Sequence, residues 1–298
     1  MKSLKTILLR IRESDRNGYG FILPYIIFFC MFIAYPLVFS FVLVFHRWNI
    51  VTPMEWIGFK NFARLFQDPL FGKAIVNTLV FLALHIPLQV VIALFFAILL
   101  NSAIKFRGLF RSVYFFPVIV SGVVVTILWQ QLYNYDNGLF NNVLAVFGLS
   151  GIPWLVDPVF AMPSIAIMAT WKNVGLYIVL FLVGLQTIPA YLYEAAEIDG
   201  ASRKHQFLRI TLPMLNPTIV VIFILSTIGG FSLFIEPYIM TGGGPMNSTL
   251  SAMLYIYNQA FNFNHMGYAA ALGFVFALII LLVVTVQRRV METEDYST

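Results

Sequence analysis

Charge is scarce in this sequence. Only 10% of its 298 residues are Asp, Glu, Lys or Arg and 60% are hydrophobic, against about 25% charged and 45–50% apolar in a soluble domain. A chain so poor in charge cannot present a polar surface all round and must be solvated largely by lipid. Cysteine is almost absent. The single thiol, Cys30, lies in an apolar run and reads as a small hydrophobe, and one cysteine excludes an intrachain disulfide framework or a thiolate metal site. No GxxxxGK[ST] phosphate loop occurs, because Thr241-Gly242-Gly243-Gly244-Pro245 is glycine-rich but lacks the lysine. No paired carboxylates, metal-ligand cluster or activated nucleophile converge in sequence, which argues against a membrane enzyme. The net charge of +5 does not point to nucleic acid, since the basic residues are sorted between loops and do not gather on one face.

What the chain has in quantity is long apolar runs. A helix needs about 20 mostly apolar residues to cross the hydrocarbon, where every backbone group must be satisfied internally. Six stretches qualify, at Phe21 to Phe45, Ala74 to Leu100, Ser112 to Tyr133, Ala161 to Leu185, Met214 to Tyr238 and Gly267 to Val286. The first is too long for a signal peptide and lacks a small-residue cleavage pattern, so it reads as a membrane anchor. Thirteen basic residues fall on one set of segments: Lys2, Lys5, Arg10, Arg12, Arg16, Lys105, Arg107, Arg111, Arg203, Lys204, Arg209, Arg288 and Arg289. The alternate loops hold four, Arg47, Lys60, Arg64 and Lys73. The positive-inside bias therefore predicts both termini in the cytoplasm, in agreement with an even number of spans. Leu4, Ile7, Leu8 and Ile11 fall at helical spacing among basic residues, the pattern of an interfacial helix on anionic headgroups or of a basic tail that enforces topology. The expected organisation is an amino-terminal cytoplasmic segment 1–20, a first span with its external loop 21–73, a membrane core 74–286 and a cytoplasmic tail 287–298.

Between the fourth and fifth spans lies a polar cytoplasmic loop, Ile188 to Pro213. Pro189 suits a first helical turn, Ala195 and Ala196 are strong helix formers, and Gly200 can end the helix or bend it. So short a helix has little stability alone and needs a partner surface. Its spacing is specific: Glu194, Ala195, Ala196, three residues, Gly200, nine residues, Ile210, one residue, then Leu212 and Pro213. This resembles the EAA signature of importer-type ABC permeases without gap or substitution, on the loop where that family carries it. The resemblance implies an all-α integral membrane protein of six transmembrane helices, with the type I ABC importer permease fold and a cytoplasmic coupling helix. Glu194, Ala195, Ala196, Asp199, Gly200, Ile210, Leu212 and Pro213 would be its ATPase-coupling residues. It also implies a non-catalytic subunit that binds no cofactor, with ATP and Mg used by a partner ATPase.

The segments Phe234 to Pro245, Tyr255 to Phe261, Gly267 to Gly273, Ile57 to Phe71 and Asn77 to Phe81 are similar to permeases of carbohydrate importers, on the MalF-like side. The modest loop 134–160 departs from the large external insertion of the maltose protein. The partners so implied are a second, MalG-like permease, two ATP-binding subunits and an extracytoplasmic solute-binding protein. Gly242, Gly243, Gly244 and Pro245 are then either an ordinary tight turn or a contact with that binding protein. The implied activity is uptake of an oligosaccharide or related sugar by alternating access. The same scaffold importing a polyol or a glycerol phosphate ester is the near alternative, and an ATP-independent secondary transporter or channel the distant one.

Within the spans, Lys172 lies near the middle of the fourth, where a charge costs roughly 2.5–3.5 kcal/mol to insert, so it is expected to face a wet cavity or a partner helix. The one acid in a span, Glu236, should lie about 14 Å nearer the outside if both helices are straight, at about 1.5 Å rise per residue, which argues against a direct pair. Trp129, Trp171, Lys172, Asn173, Tyr177, Phe231 and Glu236 are candidates for a sugar path, because aromatic faces cover the C–H surface of a pyranose and polar groups bond its hydroxyls. Gly229, Gly230 and Pro87 are candidate pivots, and His85 reads as an interhelical hydrogen bonder rather than a metal ligand.

Overall fold

The computed structural model describes residues 21–101 and 107–291. The expected helix in segment 1–20, Lys105 and residues 292–298 of the tail lie outside them. Contacts group the chain into two compact units, one running to Gln67 and including Gln259–Phe274, the other comprising Asp68–Asn258 and the chain from Val275 onward.

In the first unit, α1 (Phe21–Leu43) is an apolar helix with a π-turn at Cys30–Ala34. It exposes apolar side chains along its length, as a lipid-solvated span does. A two-residue ladder follows, β1 (His46–Arg47) antiparallel to β2 (Glu55–Trp56), with Arg47 and Glu55 paired as ions. The short helix α2 (Lys60–Phe66) is tied back by buried Asn61, whose amide donates to the carbonyls of Val44 at 2.8 Å and His46 at 3.0 Å. The Met266 N–H donates to the Trp48 carbonyl at 3.0 Å. A Cβ at Gly267 would overlap the His46 carbonyl oxygen, so only glycine lets that backbone approach.

The second unit is built on α3 (Pro69–Asn101), which packs along the later helix Pro158–Gln186. Fully buried Ala93 and Ala97, four apart on α3, meet Ile178, Phe181 and Leu182 there. Small residues permit such close approach where lipid supplies no hydrophobic drive between helices. Next come α4 (Arg107–Ile119), α5 (Gly122–Leu132), α6 (Leu139–Val146) and the long helix itself, α7 (Pro158–Gln186). Asp157 caps α7, accepting from Val159 N–H at 2.7 Å. Then follow α8 (Ala190–Ile198) and α9 (Arg203–Gln206), the latter prolonged by a π-turn at Phe207–Thr211 and one turn at Leu212–Met214. The chain ends through α10 (Asn216–Phe231), α11 (Ile235–Met240), α12 (Ala252–Tyr257) and α13 (Met266–Met291).

Among the described residues five helical segments are long and apolar enough to cross a bilayer: α1, α3, α7, α10 with α11, and α13. The expected third span, Ser112 to Tyr133, is not one straight helix. Gly108–Ile119 and Gly122–Leu132 meet at 96°, and counting the bent pair as one span restores six. The physical reason lies at the junction. Pro117 cannot donate to the turn before it, and Ser121 then turns extended, φ −51° and ψ 128°, ahead of Gly122. The fifth span is interrupted as well, between Phe231 and Ile235.

Gly175 in α7 is where α4 crosses, and a Cβ there would overlap the Tyr114 carbonyl oxygen, a backbone atom that cannot swing aside. Gly72 in α3 faces open space. Gly175→Ala is expected to cost about 1–3 kcal/mol by overpacking, while Gly72→Ala should be neutral or add up to about 1 kcal/mol of helix propensity. Thermal midpoints in detergent check this, and equal midpoints for the two variants would refute the crossing.

Candidate functional site

The loop from Ile188 to Pro213 folds as a helix with a defined stop. After α8, Asp199 is the C-cap and Gly200 takes φ +75°. The Ala201 N–H then donates to the Ala196 carbonyl at 2.8 Å and the Gly200 N–H to Glu197 at 3.0 Å. This is a Schellman closure, which requires a left-handed residue and so favours glycine. The four-residue step from Ala196 to Gly200 is thus the length of one helix end. Ser202 opens α9, accepting from His205 N–H at 3.4 Å. Tyr193 and Thr211 share a hydroxyl hydrogen bond of 2.9 Å, and Leu192, Tyr193 and Ile210 pack on a core that includes Leu185, Ile188 and Leu215. The motif residues therefore divide. Glu194, Ala195, Asp199, Gly200 and Pro213 are exposed, Ala196 and Leu212 are half-buried, and Ile210 anchors the loop to the ends of α7 and α10.

Inside the bundle, Lys172, Asn173 and Tyr177 of α7 line a cavity of about 240 Å³. Phe81 and His85 of α3, Ser226 and Gly229 of α10, Ser232 and Glu236 line it too. The straight-helix estimate for Glu236 is corrected here: it borders the same cavity as Lys172. The interruption is the reason, since α10 ends at Phe231, Phe234 adopts φ −142° and ψ −56°, and α11 restarts with Glu236 in its first turn. A Cβ placed on Gly122 would lie 3.5 Å from Ile235 Cδ1 and 3.7 Å from Lys172 Nζ, so both chains converge on the α4–α5 junction. His85 bonds Thr170 Oγ1 through Nδ1 at 2.8 Å, buried, and stacks on Phe81 at 5.0 Å; it is the interhelical bonder expected. The cavity offers hydroxyl, amide, ammonium and carboxylate groups within an apolar bundle, a setting that holds water or a polyhydroxylated solute.

Three candidates lie elsewhere. Trp129 and Trp171, ring centroids 5.3 Å apart, border a separate apolar cavity of about 510 Å³. Phe231 is 1% exposed and packs edge-on against Phe276 at 5.7 Å. Nor do Gly229 and Gly230 break their helix, which runs through both. A Cβ on Gly230 would overlap Leu82, whereas Gly229 faces open space. Ser226 and Ser232 were not singled out by sequence reasoning; the stripe of small residues at 226, 229 and 230 in an otherwise apolar helix is the signal that marks them.

The glycine-rich segment after α11 forms a turn. Gly242 and Gly243 have φ +62° and +91°, Gly243 N–H donates to Pro237 at 3.2 Å, and Thr249 Oγ1 donates to Gly244 at 2.6 Å. Lys73 Nζ donates to Met246 at 2.6 Å and Asn77 to Asn247 at 2.7 Å, so α3 holds the turn in place. Gly242 is exposed, Gly243 buried, and Gly244 and Pro245 half-buried.

Comparison with known proteins extends along most of the chain. Residues 14–291 match the family of binding-protein-dependent transport system inner membrane components. The lactose transport system permease LacF of Rhizobium radiobacter is 38% identical over 275 residues, covering 90% of this chain and 92% of that one. The trehalose/maltose transport system permease MalF of Thermococcus litoralis is 35% identical over 277 residues, 93% of each. Among solved structures, a chain of a bacterial ABC transporter involved in the import of the acidic polysaccharide alginate superposes with TM-score 0.80 and 27% identity, over 95% of this chain and 98% of that one. With matches of this breadth in sequence and in backbone, the architecture is the type I ABC importer permease fold, and the chain belongs to the family of binding-protein-dependent transport system inner membrane components.

Proposed function

We propose that the chain is the permease subunit of an ATP-driven importer that brings a carbohydrate into the cytoplasm by alternating access. The observation that carries this reading is the exposed helix α8, closed by Gly200 and pinned by Tyr193 and Ile210 to the ends of two spans. A helix held rigidly at its base and bare on its outer face is built to receive a displacement from a partner. The partner is an ATP-binding subunit that uses ATP and Mg, with Glu194 meeting a basic group in its cleft. A second, homologous permease completes the path, an extracytoplasmic solute-binding protein delivers the substrate near Gly242, Gly243, Gly244 and Pro245, and both termini lie in the cytoplasm. That relatives across this length transport lactose and trehalose or maltose supports a sugar as cargo. Lys172 shares its cavity with the carboxyl group of Glu236, a less favourable setting for a phosphate ester than for a neutral sugar.

Replacing Glu194 or Gly200 by Trp is expected to leave the protein in the membrane and lower ATP-coupled uptake in reconstituted vesicles by about 5–150-fold, the scale of a lost coupling energy of about 1–3 kcal/mol. Coupled uptake preserved in both variants would refute the docking assignment. For the path, cysteines introduced at Asn173 and Ser232 in a Cys30→Ser background should react with an aqueous maleimide and be protected by transported sugar, while one at Phe231 should stay inert. Persistent inertness at 173 and 232, with and without ATP, would remove the cavity from the path.

A further inference from the structure

The first unit contains a cavity of about 730 Å³ that the transport reading does not use. Its walls come from the two places where apolar spans leave the hydrocarbon. One wall is Arg47, Trp48 and Asn49, a few residues after α1 ends at Leu43; the other is Asn264, His265 and Tyr268, at the start of α13. Lys60 and Arg64 of α2 close it. Those two cations are four residues apart on one helix and so share a face, and both line the same space. The Arg64 guanidinium lies over the Tyr268 ring at 3.9 Å. The one acid of the lining, Glu55, is paired with Arg47, which leaves Lys60 and Arg64 without an acidic partner in the cavity wall. His265 adds no charge at neutral pH, because burial and then the Arg64 charge push its imidazole below the usual range. The cavity therefore carries a surplus of about two positive charges.

The segments that supply these walls also carry exposed aromatics next to lining residues in the chain: Trp56 between Glu55 and Ile57, Phe59 before Lys60, and Phe66 at the end of α2, which are 66%, 72% and 80% exposed. Aromatic side chains of this exposure beside basic groups, at the end of a span, are what a headgroup layer solvates. We propose that this cavity binds the phosphate of an anionic phospholipid, with Lys60 and Arg64 bonding the phosphate. Position selects the lipid: the walls at Arg47 to Asn49 and Asn264 to Tyr268 are span ends, so the cavity opens at headgroup depth. Arg supplies directed hydrogen bonds to phosphate oxygens and Lys a mobile point charge.

The full chain in nanodiscs of mixed phosphatidylcholine and phosphatidylglycerol tests this, with lipids retained on release counted by native mass spectrometry. Phosphatidylglycerol should be retained in preference. The preference should fall about fivefold in Lys60→Gln and roughly twentyfold in Lys60→Gln/Arg64→Gln, and should weaken with salt. Lys60 is exposed, so the single variant keeps its fold. Absence of a preference in the unmodified chain, or a preference unchanged in both Lys60 variants, overturns the proposal. So does a double variant that retains lipid normally but loses association with an acidic solute-binding protein, which would make the cavity a protein-docking surface.

Discussion

The constraint on which this structure depends is that a backbone in hydrocarbon must satisfy its own hydrogen bonds, so a helix can be interrupted only where protein or a wet cavity takes over. Both interruptions obey it. Between Phe231 and Ile235 the freed groups are met locally, since Ser232 N–H donates to Gly229, Leu233 N–H to Gly230, and the Leu233 carbonyl accepts from buried Ser251 Oγ at 2.6 Å. Ser232 and Leu233 themselves line the polar cavity. The α4–α5 junction at Ser121 and Gly122 faces the same place, with Lys172 and Ile235 beside it. Among the described residues the two breaks in the spans thus fall in one neighbourhood, where polar side chains of the bundle also gather.

That concentration accounts for the polar groups one by one. His85 meets Thr170 and Gln89 meets Ser226 at 2.8 Å each, both buried. Interhelical bonds of this kind average about 0.6 kcal/mol in membranes, too little to hold a bundle together but enough to fix the rotation of α3 against α7 and α10. Tight packing supplies the rest through Gly175 and Gly184, where added methyl groups would meet neighbouring atoms. Lys172, costly to insert alone, has a carboxylate across the cavity and so does not need lipid headgroups.

How much of this was readable from the sequence follows from the range of the interactions involved. Five spans were legible because hydropathy is a property of single segments, and the helix in the loop 188–213 because the Ala196 to Gly200 step is a local helix ending. The break in the third span was not, although Pro117 and the Ser121-Gly122 pair were in view, since Pro and Gly are widely tolerated in membrane helices and tertiary packing decides which of them bends. Glu236 was misplaced relative to Lys172 for a related reason. Counting residues along a helix assumes that the helix continues, and the missing turns at 232–234 lie outside that assumption. Trp129, Trp171 and Phe231 suited a sugar site by type, but their direction depends on rotation about the helix axis. That rotation is set by small residues such as Gly230 against Leu82.

The loop and the polar cavity are joined by the same covalent elements. Ile210 and Tyr193 fasten the loop that carries α8 to a core containing Leu185 of α7 and, just before α10, Leu215. Further along those helices stand Lys172, Asn173, Ser226 and Gly229, on the cavity wall. A close-packed core transmits displacement and does not absorb it. A push on α8 would therefore shift the α7 and α10 walls together, leaving the α3 wall and the interrupted segment before α11 to accommodate the change. Under the proposed mechanism the non-helical part of the cavity wall, Ser232 and Leu233, would be where rigid movement of a loop becomes a change in the shape of the cavity.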